Sequence, residues 1–371
     1  MPIFYPRQDF GDFSLSLGVT SSLLHQRFGI SFDERYYRDI AYRVRSQMEL
    51  DRLVYEHFSD IGIGYAEPFP RINIEPFGHR FIPVLYECEC SYSGDEEPWV
   101  RKRDLHVEEI ETLPSWTLDR FESSPAVREV VEQVRFLNEL YEIEKIRKNL
   151  DYNPHYQPLS SLQNLGSVIN TACSVFGQEV FILYLENPEL LKKLFANITD
   201  LMLLCLDYFP RIDGEPLHTI FVGNCTVAMI SPEHYLRCNF EYDLQLVNYA
   251  KRNHLRFMVH QDSDATMHLD NYEQLKYVHA LDLGQDTDFE KLAELFPYCD
   301  VSCILFPSWL NTTPLEEIRE ELIRIMKFRS AFTSLDFSVF DIDPVLAHSR
   351  IFEFYDIFQH CAETVSGRHR A

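Results

Sequence analysis

LRFMVHQDSDATMHLDNYEQLKYVHALDLGQDTD, residues 255–288, sets an apolar run, a helix-like segment and a second apolar run in series. LRFMVHQ (255–261) and YVHALDLG (277–284) are short, largely apolar, and run into polar residues. Between them, Leu269 to Leu275 has helical spacing. A strand, a crossover and a second strand predict a parallel pair with a right-handed connection. The pattern continues on both sides. HTIFVGN (218–224), VSCILFP (301–307) and AFTSLDFS (331–338) read as further strands. Pro232 to Lys251, Asp288 to Phe296 and Pro314 to Phe328 read as helices between them. Repetition of this unit predicts an α/β fold, a (β/α)8 barrel spanning residues 1–371 as a single domain. Residues 151–371 supply the main strand–helix units, and 1–150 supply N-terminal helical and short-strand elaborations with the first barrel elements. An open doubly wound sheet is the alternative, but no GxGxxG or P-loop supports a nucleotide-binding version.

The N-terminal third reads differently. Phe32 to Phe58 is charged and periodic, which predicts one long helix. Between Tyr65 and Tyr92, INIEPFGHRFIPVLYECE alternates among prolines, which predicts short strands around a turn at Gly78. Ser123 to Lys148 reads as a long amphipathic helix.

Composition narrows the function classes. Lys and Arg total 34 against 58 Asp and Glu, a formal net charge of −24. Such a surface repels phosphate backbones, so nucleic acid is not an expected partner. The opening MPIFYPRQDFGDF lacks the basic region and apolar run of a secretory signal, and Leu201 to Leu206 is too short to span a bilayer. The nine cysteines form no disulfide framework or finger-like zinc spacing, so Cys299 and Cys303 read as core residues. These features fit a reduced, cytoplasmic protein without a membrane segment.

In a barrel of this kind chemistry sits at the C-terminal strand ends. Those ends are Gly223-Asn224-Cys225-Thr226, His260 to Asp264, Asp282 to Asp288, Pro307-Ser308-Trp309 and Asp336-Phe337-Ser338, and they are expected to gather at one mouth. His260-Gln261-Asp262 places an imidazole and a carboxylate two residues apart. That pair suits a divalent zinc, iron or manganese ion, or a general acid–base role. Gln285, Asp286, Ser308, Trp309 and Asn224 are candidate substrate-binding residues, and Trp309 and Tyr156 can wall a pocket. Asp288 and Ser231, the latter followed by Pro232, read as helix N-caps.

In order along the chain, these motifs resemble the uroporphyrinogen decarboxylase superfamily. The matching features are Ile230-Ser231-Pro232-Glu233 opening a helix, a strand ending in His260, LDLGQDTD, a strand ending in Ser308, and Thr312-Thr313-Pro314-Leu315-Glu316-Glu317-Ile318. Upstream, Leu165-Gly166, Gly177-Gln178-Glu179, Asn187-Pro188-Glu189-Leu190 and Gly29-Ile30 to Gly64 extend the resemblance over most of the chain.

The resemblance implies one of two chemistries. One branch decarboxylates uroporphyrinogen without a cofactor. The other transfers methyl groups between a corrinoid carrier and a zinc-activated thiol. The decarboxylase's arginine-rich RQAGRY segment is absent, for Arg7-Gln8 is followed by Asp9-Phe10. That branch's Ser aligns with Asn224, and its late catalytic His aligns near Asp336. The methyltransferase branch has His-x-Cys where this chain has His260-Gln261-Asp262, and its later Cys falls near Asp336 or Phe337. Carboxylates in place of thiolates make a harder donor set. His260, Asp262 and Asp336 are therefore the expected catalytic and metal-holding residues. A methyl or one-carbon transfer enzyme acting on a small or acidic substrate is the leading expectation, with a corrinoid protein as possible partner and a homodimer as assembly. A cofactor-free decarboxylase with Asp262 or Asp336 as proton donor, and a silent binding protein on the same barrel, are the alternatives.

Overall fold

The computed structural model describes residues 3–5, 7–70, 81–104, 106–148, 164–214, 216–344, 346 and 348–367. Among them, eleven strands form. They are β1 (Ile3–Phe4), β2 (Gln8–Asp9), β3 (Phe13–Val19), β4 (Glu89–Ser91), β5 (Trp99–Arg101), β6 (Asn164–Gly166), β7 (Thr219–Gly223), β8 (Arg256–Gln261), β9 (Ala280–Gly284), β10 (Asp300–Leu305) and β11 (Ser334–Ile342). The chain divides into two compact units. One comprises Met1–Ile30, Leu50–Pro68 and Met258–Ala371, and the other Ser31–Glu49 and Phe69–Phe257.

In the first unit the parallel order is β3-β11-β10-β9-β8, with β1 and β2 antiparallel to β3. Side chains alternate across a strand, and here the alternation falls on residue parity. Odd-numbered positions are Val259, Leu281, Leu283, Val301, Cys303, Leu305, Leu335, Phe337, Val339, Phe13, Leu15 and Leu17, all buried. Phe337 meets Phe358 of the helix His348–Val365, ring centroids 5.1 Å apart, so this is the helix-covered face. Burying each such side chain is worth about 1.5–3 kcal/mol. Truncating Phe337 to Ala would cost about 3–5 kcal/mol.

Even-numbered positions carry the opposite composition. They include His260, Asp282, Asp300, Ser302, Ser334, Asp336, Ser338, Ser14 and Ser16, with Met258, Ala280 and buried Ile304 as apolar members. One register row crosses the whole ladder: His260, Asp282, Ser302, Asp336 and Ser14 are successive Cα partners. Barrel strands usually fill such a face with branched apolar residues. A wall of hydroxyls, carboxylates and an imidazole cannot serve as a dry core.

The helices of this unit follow the apolar spacing. Leu315–Met326 buries Ile318, Leu322, Ile325 and Met326, one stripe at helical period, and Glu316 and Glu317 favour its positive N-terminus. It packs against His348–Val365. Phe289–Leu295 starts at Asp288, whose Oδ1 accepts the backbone N–H groups of Glu290 and Lys291, as the sequence predicts.

In the second unit, β6 and β7 pair in parallel and β4 and β5 form an antiparallel pair. The helix Pro188–Asp213 is capped by the Asn187 side chain and ends at Gly214, φ 81°. Its Phe209 meets Phe81 and Phe121 edge to face. Val168–Glu186 is apolar and long enough to cross a membrane, but it is interrupted by the 3-10 turn Gly177–Glu179 and more than half of it is buried. Ser231 caps the helix at Pro232 by accepting from His234, again as predicted.

Two N-terminal expectations are corrected. Phe32 to Phe58 is not one helix. It breaks at Asp39, whose extended backbone ends Glu34–Arg38 and whose carboxylate accepts from Tyr42 to start Ile40–Phe58. Phe81–Leu85, read within an alternating strand pattern, is a short helix. Pro83 sits in its first turn, where a missing N–H costs nothing. The proposed turn at Gly78, and Tyr156, lie outside the described residues.

Candidate functional site

The polar face of the first unit positions the site. Strand β8 delivers His260, and its neighbour β9 delivers Asp282 at the same level. His260 Nδ1 lies 2.7 Å from Asp282 Oδ2, the side chains 15% and 5% exposed. A carboxylate accepts, so Nδ1 donates, and in the neutral ring Nε2 is then the acceptor nitrogen. Asp262 follows past the strand end, with a carboxylate oxygen within 4.8 Å of a His260 ring nitrogen.

Backbone packing fixes Asp262. A Cβ on Gly284 would stand 2.7 Å from the Ser263 carbonyl and 2.9 Å from the Asp262 oxygen. Only glycine lets the loop after β8 lie on the end of β9. Buried Gln261 holds the same loop from behind, donating to the Asp264 carbonyl at 2.9 Å and accepting from Tyr272 Oη at 2.6 Å. Asp264 is exposed and accepts from Thr266, forming a turn.

Asp336 stands in the same register row as His260, two strands beyond Asp282. Ser14 Oγ donates to its Oδ1 at 2.6 Å, and Arg7 Nη1 lies 2.5 Å from its Oδ2. Both oxygens are thus occupied by donors from the N-terminal segment. Arg7 is more than half exposed.

The remaining candidates differ in their surroundings. Gln285 is buried, its Oε1 accepting from Phe306 N at 3.2 Å, so it ties the ends of β9 and β10 together. Asp286 and Ser308 are exposed, and Trp309 is half-buried in the helix Pro307–Thr312. Asn224 belongs to the second unit, fully buried after β7, where its Nδ2 donates to Asp243 at 3.2 Å. Tyr235 Oη donates to the same Asp243 oxygen at 2.6 Å. Burial pushes the Asp243 carboxyl up to about 6, against the lowering effect of those two donors. Cys225, half-buried, follows Asn224. None of the nine cysteines is in a disulfide, and Cys299 and Cys303 are core residues as expected.

Asp282 is the residue that sequence reasoning named only within a strand tip. Its signal was the alternation in ALDLG, which puts it on the His260 side of the sheet. It also carries an anomaly: Asp282 Oδ1, like Ser338 Oγ, is buried without a hydrogen-bond partner among the described residues. Each such atom costs about 1–3 kcal/mol when nothing satisfies it.

Among solved structures, the chain is similar to a methyltransferase from Methanosarcina mazei, with TM-score 0.56 and 11% identity over 93% of each chain. It also aligns with a B12-independent methionine synthase from Shewanella sp. W3-18-1, with TM-score 0.45 and 11% identity over 91% of this chain and 94% of that one. No family profile and no curated protein matches the sequence. The first likeness shows the fold: the chain has the α/β, (β/α)8-type architecture that its strand–helix order predicts.

Proposed function

We propose that this chain is an enzyme of the uroporphyrinogen decarboxylase superfamily, on the methyltransferase side, transferring a methyl or one-carbon group at the His260–Asp282 site. The observation that carries this reading is the 2.7 Å contact between His260 Nδ1 and Asp282. Metal-ligating histidines usually donate their second N–H to a carboxylate, which fixes the ring and raises its basicity. Asp262 stands close enough to His260 to share an ion. The donor set of one imidazole and a carboxylate fits zinc, iron or manganese. A bound ion would act as a Lewis acid on a substrate atom. His260 and Asp262 would hold it, Asp282 would orient His260, and Gly284 would keep Asp262 in place.

Asp336, expected as a third ligand, accepts from Arg7 and Ser14 and would have to keep or exchange those donors while reaching the ion. The same two contacts weigh against Asp336 as the proton donor of a cofactor-free decarboxylase. The reading carries with it a small-molecule substrate, a cytoplasmic location, a homodimer and a corrinoid protein as methyl carrier. The test is twofold. Metal content of the purified protein and of His260→Ala should differ by about one equivalent. Methylcobalamin should lose its methyl group to a small acceptor only with the metal-loaded wild type. Equal metal content in both proteins, with no demethylation, would sink the reading.

A further inference from the structure

The even-numbered face has two buried polar atoms that the protein leaves unsatisfied. Asp282 and Ser338 are each 4% exposed, and Asp282 Oδ1 and Ser338 Oγ have no hydrogen-bond partner among the described residues. Both belong to the side of the sheet that carries His260. Ser302 stands between Asp282 and Asp336 in the register row, and Ser16 is the register partner of Ser338. Strand spacing and rise put the Asp282 and Ser338 backbones roughly 12 Å apart, the span of a small molecule between two side chains.

The charge on this face decides the ligand's chemistry. Asp282, Asp300 and Asp336 all lie on it. Arg7 is engaged with Asp336, and Ser334 donates to Asp300 at 3.0 Å. His260 satisfies one oxygen of Asp282, and the other still needs a donor. An anionic ligand here would meet carboxylates, whereas an ammonium supplies the donor and offsets the charge.

We propose that this face binds a small molecule carrying a protonated amine, its N–H groups on Asp282 Oδ1 and a second polar group on Ser338. This names a substrate class for the site above and rests on that reading only for what the amine does there. Binding itself requires neither metal nor turnover.

The test uses three molecules of nearly equal shape: 3-aminopropanol, 1,3-propanediol and 3-hydroxypropionate. Each is titrated into the full chain after chelation, with binding read by ligand-observed NMR and folding checked by circular dichroism. The amine should bind saturably and at least tenfold more tightly than the diol or the acid. Asp282→Asn should weaken it at least tenfold and Ser338→Ala several-fold. Should Asp282→Asn fail to fold, Ser338→Ala and Ser16→Ala carry the test. Equal binding of the diol, tighter binding of the acid, or no binding by folded protein each overturns the proposal; in the last case ordered water satisfies the two atoms. Amine binding by protein that neither holds metal nor demethylates methylcobalamin would leave this inference standing and the methyl-transfer reading fallen. Metal binding without amine binding would do the reverse.

Discussion

Asp282 accepts from His260 across adjacent parallel strands, the two residues being direct register partners with 2.7 Å between Oδ2 and Nδ1. Imidazole orientation is thereby set by the sheet itself and not by a loop. Replacing Asp282 by Asn keeps an oxygen that can accept the N–H but removes the charge. Metal affinity should fall about 10–100-fold. Competition with a chromophoric chelator measures it, and the loss should vanish in a His260→Ala background. Unchanged affinity in the single variant would remove Asp282 from this role.

Gly284→Ala should damage the site more than the fold. The added methyl meets backbone at 2.7 Å, so the Asp262–Ser263 loop must lift. Overpacking of this kind costs about 1–3 kcal/mol. Activity should drop by tenfold or more while cooperative unfolding persists. A crystal structure of the variant with Asp262 in place would contradict the argument.

Asp243 should give the protein a pH-dependent stability. Its folded value is about 6 against an ordinary 3.8, because burial disfavours the charge. Between those values the native state keeps a proton that the unfolded chain has released. Stability therefore falls as pH rises through that window, by up to about 1.4 kcal/mol per pH unit, and is level above it. Urea midpoints from about pH 4 to pH 7 should show the fall in wild type and a flatter profile in Asp243→Asn. Identical slopes would mean that Asp243 is ionised throughout.

Uroporphyrinogen should not be turned over. The arginine-rich segment of the decarboxylase branch is absent, and Asp282, Asp300 and Asp336 line the face a polycarboxylate would have to meet. Fixed cations are needed to offset desolvation of so many carboxylates. Chromatography after incubation should recover the substrate intact, and stepwise loss of carboxylates at an enzymatic rate would refute this.

The strands β7 to β11 were legible because each is a short apolar run closed by polar residues, and their helices because apolar residues recur at helical period. β3 was not read as a strand, although FSLSLGV alternates strictly and pairs in parallel with β11. The helix Ser21–Phe28 follows it directly, so a local strand–helix unit is present; what the sequence hides is the sheet partner, more than 300 residues away. The same distance hid the hold of Arg7 and Ser14 on Asp336. His260 and Asp262 were visible as a motif, but the role of Asp282 depends on inter-strand register, which composition does not encode. Gln285 and Asp286, adjacent in one polar tip, separate into a buried strut and an exposed carboxylate because a turn reverses which side faces inward.

Because odd positions hold the helices and even positions build the wall, the two tasks are written in interleaved letters of one text. Point changes at even positions can rewrite what is recognised while leaving the helix-facing layer untouched. A single-residue insertion or deletion within β9 or β10 would instead exchange the two layers, turning Asp282 or Ser302 toward the helices. Descendants of this chain are therefore free to diverge in specificity by substitution, and are barred from doing so by changing strand length.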